Sequence, residues 1–395
     1  MRRKPRVLIA GGGIGGLTAA VALLKTGFEV EVYEQAGELK EVGAGLQLSA
    51  NGTRVLYALG LGEALKALSC EASGKEVRLW NTGETWKLFD LGPVSIERYG
   101  FPYFTVYRPD LLSVLAKAVG EAIHLGAKCV GFTQDADGAS LQLENGESVR
   151  GDALIGADGV HSRMRQALFG PDKPSFTGII AWRGIIPIER LPRHMARLVG
   201  TNWIGPGGHI VHYPLRAGRL MNFVGVLERA DWRIESWTAR GTAQELAADF
   251  AGWHEDVQTM IRNIDVPYKW ALMVRAPMER WTIGRVSLLG DACHSMVPFL
   301  AQGAVMAIED GYILARCFQE YGDDVSEALR HYEDARRART RKAVEGSAAN
   351  IQRFHNPALA DAAEAKKYVD REWAESRIAE RYEWLFRYDV TTVPI

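Results

Sequence analysis

The sequence predicts an α/β protein: a parallel, helix-flanked sheet interwoven with a second, antiparallel sheet, then C-terminal helices. Three observations predict it. The N-terminus runs strand, glycine turn, helix, strand, which is a βαβ unit. From about residue 179 to 274, strand patterns recur with no helical crossover between them. Two short apolar runs, 153–158 and 286–291, end in aspartate and read as returns to the first sheet.

Each element has its own warrant. Residues 6–10 (R-V-L-I-A) form the short apolar run of a strand buried on both faces. The glycines of 11–16 follow, and Leu17, Val21 and Leu24 then recur at helical spacing. Gly27 stands where a helix C-cap glycine belongs. Phe28, Val30 and Val32 alternate with polar residues, giving a second strand that ends at Glu34. Residues 77–88 alternate around Asn81-Thr82-Gly83 and read as a hairpin. Residues 179–188, 210–213, 221–227 and 270–274 read as the strands of the second sheet. After Gly322 the chain is charged and helical in period, interrupted at Asn356-Pro357.

Composition narrows the function. Of 395 residues, 47% are apolar and 24% charged, which excludes a disordered or collagen-like chain. Lys and Arg number 47 against 48 Asp and Glu, so a charge-driven nucleic-acid binder is excluded. The 41 glycines are clustered, as around a closely approached ligand. Cys70, Cys129, Cys293 and Cys317 form no C-x-x-C pair and no metal-like cluster, so a reduced, cytoplasmic, metal-free protein is expected. The apolar start is too short for a signal peptide, and no run approaches a membrane span, so no membrane partner is expected.

Gly11, Gly13 and Gly16 spell G-x-G-x-x-G between strand and helix. The glycines permit a tight turn, close backbone approach to a pyrophosphate and close helix–strand packing. Glu34 falls near the ~20-residue offset at which an acid binds ribose hydroxyls. A ligand-free glycine turn is the alternative for the fingerprint alone; the strand, helix and acid around it argue for a dinucleotide. The unit by itself does not separate FAD from NAD.

Later segments do. Gly156-Ala-Asp158-Gly159 with Ser162 and Arg165 resembles the D-G motif of the flavoprotein aromatic hydroxylases. Gly290-Asp291 with His294, followed by Pro298-Phe-Leu-Ala-Gln302-Gly303-Ala304, resembles their G-D motif and the Pro-x-x-x-Gln-Gly loop before a helix. Tyr107-Arg108-Pro-Asp resembles their Arg segment, and Gly43-Ala-Gly45-Leu-Gln47 the loop that passes the flavin ring. The chain is similar to single-component FAD-dependent monooxygenases of the p-hydroxybenzoate hydroxylase type. Within that type it is similar to the salicylate hydroxylase, 3-hydroxybenzoate 6-hydroxylase and 6-hydroxynicotinate 3-monooxygenase group.

The resemblance implies a Rossmann-like FAD-binding domain from 1–72, 101–175 and 280–325, a substrate-binding sheet from 73–100 and 176–279, and a helical region at 326–395. It implies non-covalent FAD, NADH or NADPH as co-substrate, O2, and a small phenolic aromatic acid oxygenated through a C4a-hydroperoxyflavin. Gly11, Gly13, Gly15, Gly16, Glu34 and Gln35 would hold the AMP half of FAD. Arg108 would reach the phosphates and Asp291 the ribityl hydroxyls. Gly45 and Gln47 would pass the ring, and Pro298, Gln302, Gly303 and Ala304 would border its N1/O2 edge. Asp158 would serve FAD and nicotinamide use. The nicotinamide, the ring position and association into a homodimer stay open. There is one G-x-G-x-x-G, which fits transient binding of the nicotinamide.

The second sheet is expected to roof the flavin. His209 and Tyr213 are four residues apart, hence on one strand face ~13 Å apart, with His212 on the other. The pair resembles the active-site His and Tyr of the 3-hydroxybenzoate and 6-hydroxynicotinate enzymes. A neutral His, or a Tyr relaying through it, would take the phenolic proton and activate the ring. The alternative is a His and Tyr filling a β-face. His294 is likewise either functional or a satisfied buried imidazole. Gln47 stands where the 6-hydroxynicotinate enzymes have His, which leaves the substrate open. A flavin-dependent reductase or dehydrogenase, or a non-catalytic flavin sensor, is the rival reading.

Overall fold

The computed structural model describes residues 3–39, 44–229, 231, 239–322 and 324–395. The apolar runs assemble into one six-stranded sheet ordered Thr282–Ile283, Val286–Leu288, Ala153–Gly156, Arg6–Ala10, Glu29–Glu34, Ile123–Leu125. All neighbours are parallel except the outer Thr282–Ile283 pair. Val7, Leu8 and Ile9 have no exposed surface, the burial that a continuous apolar run anticipates. The helix Ile14–Lys25 crosses the helix Gly303–Tyr321 at Gly311, where a Cβ would lie 2.6 Å from Ala19 N. Only glycine lets the two helices meet there.

The second sheet has seven strands: Tyr268–Val274, Ser175–Pro187, Leu220–Glu228, Gly208–Leu215, Val199–Gly205, Gly74–Leu79, Thr85–Asp90. Its neighbours are antiparallel with one departure from expectation: Val199–Gly205 runs parallel to Gly74–Leu79. No short turn joins those two strands, so no hairpin fixes their relative direction. Val199–Gly205 escaped the sequence reading because two glycines and an asparagine dilute its pattern. The three-stranded meander Cys129–Gln134, Ala139–Leu143, Ser148–Gly151 escaped it too.

One face of the large sheet packs Val77, Ile204, Val226 and Trp270 toward Phe299, Phe354 and Trp373. The other packs Trp182, Trp203 and Phe223 against Phe250, Val257 and Ile261. The first face therefore looks toward the glycine-rich loops of the parallel sheet.

The terminal region is helical: Val325–Phe354, Ala362–Glu372 and Glu375–Phe386. At the expected break, the Asn356 side chain accepts from the Ala358 N–H at 3.0 Å and starts the next turn. Buried Arg336 and Arg339 bind Glu309 and Asp310 of the Gly303–Tyr321 helix at 2.7–2.8 Å. Removing one partner of such a buried pair typically costs about 3–5 kcal/mol. Among the described residues no helix is long and apolar enough to cross a membrane.

Candidate active site

The glycine turn is built as its spacing requires. Gly11 has φ +114°, and a Cβ there would lie 2.3 Å from Ala157 O. A Cβ at Gly16 would lie 2.1 Å from Gly11 O, and one at Gly15 would meet Leu289 and Ala307 within 3.0 Å. Gly13 faces open space, with no atom within 4 Å of such a Cβ. The helix that starts here has no side-chain cap and no acid in its first turn, so its amides are left for an anion. Glu34 accepts from Gly12 N–H at 2.7 Å and Ala36 N–H at 2.8 Å, which aims its half-buried carboxylate beside the turn. Gln35 next to it is exposed.

A second helix start faces the same cleft. Pro298–Leu300 is a single turn, and Ala301 takes φ +55°. The buried Gln302 side chain turns away, donating to Ser49 Oγ at 3.0 Å and accepting from Asn51 at 3.2 Å. Its backbone then leads into Gly303 and Ala304, the start of an uncapped 19-residue helix with no acid in its first turn.

Between the two starts lie Arg108 and Asp291. Arg108 opens the helix Arg108–Val119, and its N–H donates to Ala44 O at 2.8 Å. Burial lowers its pKa against the pull of Asp291. Asp291 is solvent-reachable, yet protein crowds it enough that desolvation raises its carboxyl pKa against His294 and Arg108. That pairing of access and crowding is what the wall of a cleft produces. Asp291 makes no side-chain cap.

Two motif residues are occupied elsewhere. Asp158 accepts from Ser162 Oγ, Arg163 N and Met164 N at 2.5–3.1 Å and so holds its own turn. Arg165 donates to Ala292 O and Val160 O, both at 2.9 Å, tying the D-G segment to the G-D segment. His294 is a buried imidazole whose Nε2 pairs with Asp310 at 2.6 Å: burial opposes its charge, but Asp310 raises it well above an ordinary histidine.

The roof supplies side chains. Arg183, Val224, Val211 and Asn202 are register partners across four strands. Three of them, Val224, Val211 and Asn202, are half-exposed in the middle of an otherwise buried sheet, so a hollow lies under its centre. His209 and Tyr213 sit two residues either side of Val211 and share its face. Tyr213 and Asn222 close against Gly45, where a Cβ would lie 2.7 Å from the Tyr213 ring; Gly45 N–H donates to Asn222 Oδ1 at 2.9 Å. Gln47 accepts from Tyr103 Oη at 2.9 Å. Gly43 lies outside the described residues. Burial pushes Tyr213 up, which keeps its hydroxyl protonated, and pushes His209 well below its usual value, which keeps it neutral. The expected link from Tyr213 through His209 is not built: the His209 Nδ1 partner is His355 Nε2 at 2.7 Å. His212 faces the other way, beside Glu76, Arg78 and Asp256.

Residues 4–347 match the FAD binding domain family. This chain belongs to that family. Over 391 residues it is 37% identical to 3-amino-4-hydroxybenzoate 2-monooxygenase PtnB3 of Streptomyces platensis, covering 99% of this chain and 98% of that one. It is 33% identical to 6-hydroxynicotinate 3-monooxygenase of Pseudomonas fluorescens, covering 100% and 98%. Klebsiella pneumoniae HpxO, solved with FAD and uric acid, superimposes with TM-score 0.83 at 29% identity, covering 95% and 96%. The chain is an FAD-dependent aromatic monooxygenase that uses NAD(P)H and O2.

In this hydroxylase, sequence reasoning missed Lys75, Arg183 and His355. Lys75 pairs with Gly200 on the next strand, and its stem crosses that bare glycine: Lys75 Cγ lies 3.5 Å from where a Gly200 Cβ would be. Its Nζ lies 5.1 Å from the Tyr103 ring centre and 6.0 Å from that of Phe89. No carboxylate pairs with it among the described residues, and burial lowers it to about 8. Arg183 lies 5.4 Å from the ring centres of Tyr268 and Trp270. A lone arginine in the run I-I-A-W-R-G-I-I was the available signal for Arg183. Lys75 gave none, because only cross-strand register brings it over Gly200.

Proposed function

We propose that this chain hydroxylates a small phenolic aromatic acid held in the hollow between the Gly45–Leu48 strand and the roof. One observation carries the reading: the hollow is polarised, with neutral His209 toward one end and the Lys75 ammonium toward the other. A ring bearing a carboxylate and a phenol has that polarity. The carboxylate goes to Lys75, with Gln47 and the Tyr213 hydroxyl beside it, and the phenol goes to His209 Nε2. Nε2 has no protein partner among the described residues and is free to accept the proton. Losing that proton makes the ring electron-rich where oxygen is added.

FAD, reduced by the nicotinamide, supplies the activated oxygen. The glycines Gly11, Gly13, Gly15 and Gly16, with Glu34 and Gln35, hold its AMP half. Arg108 and Asp291 take the phosphate and ribityl portions. Gly45, Gln47 and Pro298 would border the ring, and the amides of Gln302, Gly303 and Ala304 would stabilise negative charge that develops on it. Asp158 keeps the adjoining turn in place.

The test is NADH and NADPH oxidation by the yellow holoenzyme with 3-amino-4-hydroxybenzoate, 6-hydroxynicotinate and 3-hydroxybenzoate. At least one should accelerate oxidation about tenfold or more, equivalent to ~1.4 kcal/mol, and give a product one oxygen heavier. Stimulation by none of them contradicts the reading.

A further inference from the structure

We propose that His355 and Glu228 carry the substrate's proton from His209 to bulk water. The inference rests on His209 receiving that proton, as read above. His209 is 1% exposed, and Phe299, Phe354 and His355 surround its ring. A proton delivered there and kept would be a cation sealed among aromatic rings, which is costly. The structure gives it a way out. His209 Nδ1 is 2.7 Å from His355 Nε2, and His355 Nδ1 is 2.9 Å from Glu228 Oε1. His355 is 4% exposed, whereas the Glu228 side chain is 53% exposed. Two hydrogen bonds thus join the hollow to the surface, through residues from two strands and the end of the long helix.

The hydrogen bonding fits one-way transfer. Both imidazoles are neutral, because burial lowers each, although Glu228 opposes this at His355. Glu228 accepts only, so His355 carries its proton on Nδ1 and presents Nε2 as acceptor. His209 must then carry its proton on Nδ1, which leaves Nε2 to accept from the phenol. In the step, the phenol O–H breaks and a His209 Nε2–H forms. The His209 Nδ1 proton passes to His355 Nε2, and the His355 Nδ1 proton passes to Glu228 and on to water. Each imidazole ends neutral in its other tautomer, and one proton has left the substrate for solvent. No other titratable group is bonded to either ring among the described residues.

The experiment mixes holoenzyme with 3-amino-4-hydroxybenzoate in weak buffer, with 6-hydroxynicotinate as a second probe, and follows an indicator dye by stopped flow. Wild type should release a proton on binding. His355→Phe keeps the ring packing and removes the path; release and hydroxylation should each slow about tenfold or more, with flavin reduction unchanged. Glu228→Gln, at an exposed carboxylate, should slow release by about threefold and alter its pH profile, since water remains as acceptor. If His355→Phe loses FAD, His355→Gln and Glu228→Gln decide by the same readout. Release within about twofold of wild type in FAD-replete His355 and Glu228 variants overturns the relay and leaves the hydroxylase reading intact. If neither acid stimulates NADH oxidation by wild type, the substrate reading falls and takes the relay with it.

Discussion

The cleft has a floor made of backbone and a roof made of side chains. On the floor, glycine conformations, two uncapped helix starts and a few charges line the cleft. Gly16 is there because a Cβ would lie 2.1 Å from Gly11 O, whereas Gly13 faces open space, with no atom within 4 Å of such a Cβ. Such requirements are local, so they leave a fixed spacing in the sequence. On the roof, His209, Tyr213, Asn222 and Lys75 come from three strands and meet only through register. The floor can therefore stay constant across a family while the roof changes its ligand.

This difference makes opposite predictions for substitutions in the two regions. The largest effect is on the floor. Gly16→Val should abolish FAD retention, with a destabilisation exceeding ~4 kcal/mol, because the turn cannot yield 1 Å without opening. The ratio of flavin to protein absorbance after purification checks this; a yellow, stable variant would show that the turn adapts.

On the roof, His209→Ala should keep its FAD and its reduction rate while hydroxylation falls roughly 10²–10⁴-fold. Hydrogen peroxide release per NADH should rise as coupling is lost. His212→Ala is the sharpening control: it faces Glu76 and Asp256, so coupling should be unchanged and only thermal stability reduced. If His212→Ala uncouples and His209→Ala does not, the strand faces the other way.

Glu34→Ala should weaken FAD binding about 10- to 150-fold, the worth of charge-assisted hydrogen bonds at ~1.5–3 kcal/mol, and leave substrate affinity of the reloaded enzyme unchanged. Titration of the apoprotein with FAD measures it, and unaltered affinity removes Glu34 from the ribose.

The same contrast explains what the sequence revealed. The βαβ unit, the returning strands at 153–156 and 286–288 and the terminal helices were legible because burial and period are local properties. His209 and Tyr213 on one face, with His212 opposite, followed from strand parity alone. The hydrogen bonds by which the Asp158 carboxylate accepts from the Arg163 and Met164 N–H groups are not disclosed by the motif's spacing. Lys75 and His355 were invisible. One reaches the hollow only because Gly200 lies beside it, and the other arrives from the end of a 30-residue helix.

The central claim is that the hollow is polarised, with a cation at the end away from His209. It is tested most directly by the affinity of the aromatic acid relative to its neutral carboxamide, read from flavin absorbance in wild type and Lys75→Met. Wild type should prefer the acid by about tenfold or more, and the preference should fade as pH rises through about 8, where Lys75 loses its proton. Lys75→Met, which keeps the stem over Gly200, should bind acid and carboxamide alike at every pH. An acid preference in Lys75→Met equal to that of wild type, at full FAD content, would contradict the account.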